Sequence, residues 1–167
     1  MKFGWFAVAL SLASVIAADA SAQVPVSSAE GGYSIVFPAK PEQKNTEQPG
    51  VKMVTHAVRA GDNVFVLAEG LFDANIPDAG AMMDRDVADY IKAFNGRQTW
   101  GGTKDFVTSS GVSLPSRQFT FEANTLSGKG LVVVSGRRDI VIAAEKIRPN
   151  GTDEAVEKFL NSFKLEK

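Results

Sequence analysis

Four side chains stand out as able to grip a partner: Arg117, Arg137, Arg138 and Trp100. Arg137 and Arg138 fall in Gly136-Arg137-Arg138-Asp139, which reads as a hairpin turn. A planar guanidinium placed there matches a carboxylate or phosphate with paired hydrogen bonds. The plainer reading is a soluble turn whose charges guard the sheet from edge pairing. Trp100 follows a helical stretch and precedes Gly101-Gly102, so its exposure decides whether it is core or contact. Met83, Tyr90, Phe94, Phe119 and Phe121 are candidates to line a cavity for a small apolar ligand between helix and sheet. Aromatic residues in strands more often simply build the core.

Conventional catalysis finds little to work with. His56 is the single histidine and the chain has no cysteine, so a zinc site would need one imidazole and several carboxylates. The alternation of Val54, His56 and Val58 favours a packed structural histidine. Gly111-Val112-Ser113-Leu114-Pro115 is the nearest approach to a nucleophile elbow, but Pro115 replaces the closing glycine. Gly101-Gly102 and Gly128-Lys129-Gly130 lack the spacing of a phosphate loop and precede β-type runs, which points to bulges or turns. Asp84, Asp86 and Asp89 sit on a helix and read as an exposed polar face. No catalytic residue, metal site or cofactor is expected.

Elements must position these residues. Tyr33–Phe37 is a short β run ended by Pro38, and residues 39–50 read as a loop. Residues 51–59 and 64–71 alternate around Ala60-Gly61-Asp62-Asn63 and predict a hairpin. Met83, Val87, Tyr90, Ile91 and Phe94 form one helical stripe, with Asp78 as N-cap and Asn95-Gly96 as its stop. Residues 99–109, 116–122, 130–135 and 140–144 predict four more strands. Leu131-Val132-Val133-Val134 and the run 140–144 are apolar without alternation, as in central strands covered on both faces. Thr152 or Asp153 caps a final helix carrying Val156, Phe159, Leu160 and Phe163. The expected fold class is α+β, a largely antiparallel sheet flanked by two helices in an α/β/α sandwich.

The N-terminus carries an address. Lys2 supplies a positive start, an apolar stretch follows, and Ala20-Ser21-Ala22 presents small residues before Gln23. This is the pattern of a secretory signal peptide over residues 1–22. The expected organisation is that leader, a flexible tether over 23–32, and a single α+β domain over 33–167. With 18 basic and 19 acidic residues the net charge is −1. No basic block suits nucleic acid or an anionic membrane. With no cysteine, neither disulfides nor a lipid anchor on an N-terminal cysteine is available.

The layout resembles the PsbP-like domains. The likeness rests on Gly32-Tyr33-Ser34-Ile35-Val36-Phe37-Pro38, the helix ending at Phe94, the strands from Phe106 to Ile147, and the closing Phe159-Leu160-Asn161-Ser162-Phe163. It implies an antiparallel sheet sandwiched by helices, and a family of accessory and assembly factors with no shared catalytic set. The expected function is that of a secreted, periplasmic if bacterial, non-enzymatic protein that contacts another envelope protein. The alternatives are a carrier of a small apolar ligand and a hydrolase with an unrecognised site.

Overall fold

The computed structural model describes residues 23–166. The leader reading of residues 1–22 lies outside the described residues. Ten strands and two helices follow in order: β1 (Val24–Ser28), β2 (Tyr33–Phe37), β3 (Glu42–Gln48), β4 (Val51–Ala60), β5 (Asn63–Phe72), α1 (Ala79–Ala93), β6 (Arg97–Val107), β7 (Ser113–Glu122), β8 (Leu126–Ser135), β9 (Arg138–Ile147), α2 (Asp153–Asn161) and β10 (Lys164–Leu165). Seven strands form one sheet in the order β3-β4-β5-β9-β8-β7-β6, and β1-β2-β10 form a second of three. The strand pairs are antiparallel in both.

The expected α/β/α sandwich is corrected by this arrangement. The fold is β-rich, built on two antiparallel sheets, and one face of the large sheet is covered by the small sheet together with α2. Two segments account for the difference. Residues 24–28, expected as tether, pair with β2, and Val26 packs onto the core. Residues 42–48, expected as loop, pair residue for residue with β4. Every side chain of β3 is charged, amide or hydroxyl, so no apolar alternation announces a strand there. Backbone pairing to β4 sets it at the sheet edge, where water serves the outer groups.

Period-two alternation divides the large sheet into two buried faces. On one, Phe65, Leu67, Val133, Ile140, Ile142 and Ala144 meet Tyr33, Ile35 and Phe37 of β2 and Val156 and Phe159 of α2. On the other, Phe119, Phe121, Val132, Val134, Val141 and Ala143 meet Met83, Val87, Tyr90 and Ile91 of α1. The unalternating runs of β8 and β9 are thus central strands buried on both sides. The helix starts follow from their caps: Asp78 Oδ1 accepts from Ala81 N at 2.9 Å, and Thr152 Oγ1 from Ala155 N at 3.4 Å.

Gly128 and Gly130 are not turns or bulges but interior positions of β8, opposite Phe121 and Phe119 of β7. A Cβ on Gly130 would lie 2.3 Å from the Phe119 ring, and one on Gly128 2.5 Å from that of Phe121. The glycines therefore leave room for two rings to lie across the strand. Those rings, with Tyr90 and Phe94, form the aromatic floor beneath α1 at centroid spacings from 5.3 Å to 6.2 Å.

Candidate functional site

The hairpin of β6 and β7 carries the large exposed hydrophobic side chains of the described residues. Trp100 is 54% exposed, Val107 63% and Val112 51%. Among the described residues β6 ends the large sheet, with β7 as its one strand neighbour and no strand on its outer backbone edge. A register irregularity between Gln98 and Trp100 turns Trp100 out on the α2 side. There the indole lies across Gly102, where a Cβ would sit 3.1 Å from the ring. Beside it runs a cleft of about 440 Å³, walled by Trp100, Phe106, Leu131, Leu160, Lys129 and Glu157. Lys129 Nζ meets Glu157 Oε1 at 2.5 Å across this cleft, and that hydrogen bond raises the lysine pKa. The other edge, β3, is polar throughout.

The arginines named from sequence do other work. Arg117 Nε donates to Asp84 Oδ1 of α1 at 2.6 Å, and Arg117 Nη1 to Thr103 Oγ1 at 3.1 Å. It ties α1 to β7 and β6. Arg138 Nη2 donates to the Glu30 carbonyl oxygen at 2.5 Å, fastening the β8–β9 turn to the loop between β1 and β2. Its charge also faces buried Glu69, whose pKa burial raises and Arg138 lowers. Glu69 in turn accepts from the Tyr33 hydroxyl, which burial pushes up. Arg137 is exposed and reaches the Asp73 carbonyl oxygen at 3.4 Å. Along β8, Arg138 pairs with Ser135 and Trp100's row contains Lys129, six residues away, so these candidates do not converge.

Met83, Tyr90, Phe94, Phe119 and Phe121 do come together, but against one another. Met83, Tyr90, Phe119 and Phe121 are each at most 2% exposed. The aromatic rings fill the space between α1 and the sheet. His56 is also buried, 6.3 Å from the Phe37 ring, and burial lowers its pKa.

The same interface holds a polar cluster that sequence reasoning missed. Asp86 is 0% exposed, Asp139 1% and Glu145 1%. Tyr90 donates its hydroxyl hydrogen to Glu145 Oε1. Burial pushes Glu145 up to about 7, with the Tyr90 bond opposing the rise. Asp86 and Asp139 face one another, and burial raises both. Two carboxylates have no hydrogen to place between them, so contact in a dry interface requires that one stay protonated. A signal for Asp86 was present in the sequence. It lies three residues after Met83 and four before Tyr90, inside the apolar stripe rather than opposite it. The expectation of an exposed face holds for Asp84, which is exposed, and fails for Asp86.

No family model matches the chain, and no curated protein matches it. Among solved structures it is similar to an uncharacterised protein of Mycobacterium smegmatis, at 12% identity and a TM-score of 0.37. The match covers 71% of this chain and 66% of that one, just under two thirds of the neighbour's length.

Proposed function

We propose that this chain is an exported, non-enzymatic binding protein whose contact surface is the β6–β7 hairpin. The partner is another protein of the cell envelope, which adds an extended segment to the outer edge of β6. Export rests on the pattern of residues 1–22. The carrying observation is that the edge hairpin exposes Trp100 on the α2 face of β6, with Val107 and Val112 exposed at its far end. Strand addition supplies backbone hydrogen bonds, and a side-chain pocket beside the edge supplies selection. The cleft beside Trp100 is such a pocket, apolar at Phe106, Leu131 and Leu160 with a charged rim at Lys129 and Glu157. The opposite edge offers backbone groups too, but its charged and amide side chains disfavour pairing.

A photo-crosslinking residue placed at Lys104 of β6, and separately at Lys44 of β3, tests this in intact cells. The reading expects one discrete protein adduct from position 104 and none from 44, lost when Trp100→Ala is added. Equal adducts from both edges, or an adduct indifferent to Trp100→Ala, would overturn it.

A further inference from the structure

We propose that Asp86 of α1 and Asp139 of β9 share a single proton, and that this proton latches α1 onto the sheet. Both side chains are buried, and among the described residues all four of their oxygens lack a donor. They face each other across the helix–sheet contact. One proton turns that contact into an O–H···O⁻ hydrogen bond, which is short and strong in such a setting. Without it two like charges touch in an apolar interface, and separation of the layers is the relief available.

The surroundings do not supply a substitute. On α1, Arg85 favours ionisation and Asp89 opposes it. Arg85 is exposed. On β9 the same face carries Glu145, bonded to Tyr90. On β7 it carries Arg117, already engaged by Asp84. On β6 it carries Asp105, which accepts from the Ser113 hydroxyl at 2.7 Å. β8 presents Gly128, Gly130, Val132 and Val134, and β5 presents Val66, Ala68 and Gly70, none of them titratable. The segment entering α1 holds Asp73 and Asp78, both exposed. Arg85 favours ionisation of both acids, but from an exposed position and without a hydrogen bond to either, which leaves the buried contact itself to the proton. Releasing α1 uncovers Phe119, Phe121, Val132, Val134 and Val141.

Hydrogen exchange read by mass spectrometry on the exported protein tests the latch, in a Glu145→Gln background so that the second buried acid is silent. Opening of α1, residues 79–93, is expected to rise about tenfold per pH unit from about pH 4.5 upward, because each opening releases one proton. It levels once the folded pair has lost its proton, while β4 and β5 amides keep their protection throughout. Asp86→Asn with Asp139→Asn replaces the shared proton by an amide hydrogen and is expected to flatten the α1 response. The parent protein also answers directly, through the carboxyl carbon shifts of Asp86 and Asp139, whichever way the double variant folds. One of the two carbons is expected to titrate far above the ordinary aspartate range. Two ordinary titrations, or α1 opening that stays constant between pH 4.5 and 7, would overturn the proposal.

Discussion

Glu145→Gln isolates one buried acid and gives a stability change of known sign. Glu145 is 1% exposed and its carboxyl titrates near 4.5 when solvated but at about 7 in the fold. That gap corresponds to about 3 kcal/mol, at about 1.4 kcal/mol per pH unit. Between those two values the folded chain holds a proton that the unfolded chain has released. Stability from this group is therefore complete below pH 4.5 and declines as pH rises towards 7. Glutamine keeps the shape and still accepts from Tyr90, but does not titrate. Its amide must find an acceptor where the acid placed one hydrogen, which offsets about 1 kcal/mol. The variant should match or fall slightly below the parent at pH 4.5, and exceed it by about 2 kcal/mol at pH 8. Urea unfolding at both pH values measures the difference. A parent and variant whose stabilities differ by the same amount at both ends would refute the assignment of an uncompensated acid at this position.

Three other outcomes follow from the same contacts. Gly130→Val drives a side chain into the Phe119 ring, 2.3 Å from where its Cβ would stand, and should cost about 2 kcal/mol or more in urea unfolding. Trp100→Ala, at an exposed site, should change stability by less than about 1 kcal/mol in the same measurement while abolishing the crosslink at position 104. His56 shows the opposite pH sign to Glu145: burial lowers its pKa, so its neutral form is favoured in the fold and stability falls as pH drops below about 6.5. His56→Leu should flatten that acid-side loss, read as the change in unfolding midpoint between pH 7 and pH 5.

The sequence made the strongly patterned elements legible. The stripe from Met83 to Phe94 and the alternation around Phe119 and Phe121 carry their burial in their spacing. β3 was not legible, since Glu42–Gln48 has no apolar residue and owes its strand form to β4. Gly128-Lys129-Gly130 misled for a related reason. Glycine reads as a break in a single chain, yet here it completes a contact with rings on the neighbouring strand. Charged side chains were the least legible class. Arg117, Arg138 and Asp86 look alike as solvated charges in one dimension. Strand pairing decides that Arg117 meets Asp84, that Arg138 fastens a loop, and that Asp86 meets Asp139.

The two faces of the large sheet are therefore held by different means. On the α2 side the contact is largely apolar, with Phe159 within 5.1 Å of the rings of both Phe37 and Phe65, and its buried titratable members are His56 and Glu69. The apolar part of that contact varies little with pH, while His56 and Glu69 each add a dependence of their own. On the α1 side three of the ties involve carboxyl groups: Asp84 with Arg117, Glu145 with Tyr90, and Asp86 with Asp139. The first is strongest with its acid ionised, and the last requires a proton. Raising the pH favours the first tie and removes the proton of the last, so the attachment of α1 responds to proton concentration. β6 belongs to the sheet and not to that layer. Its pairing with β7 runs from Arg97 to Val107 through backbone hydrogen bonds that do not titrate. Opening α1 would thus add an apolar face beside an edge that stays in place. Acid and alkaline conditions should then change what the protein exposes without changing the strand edge itself.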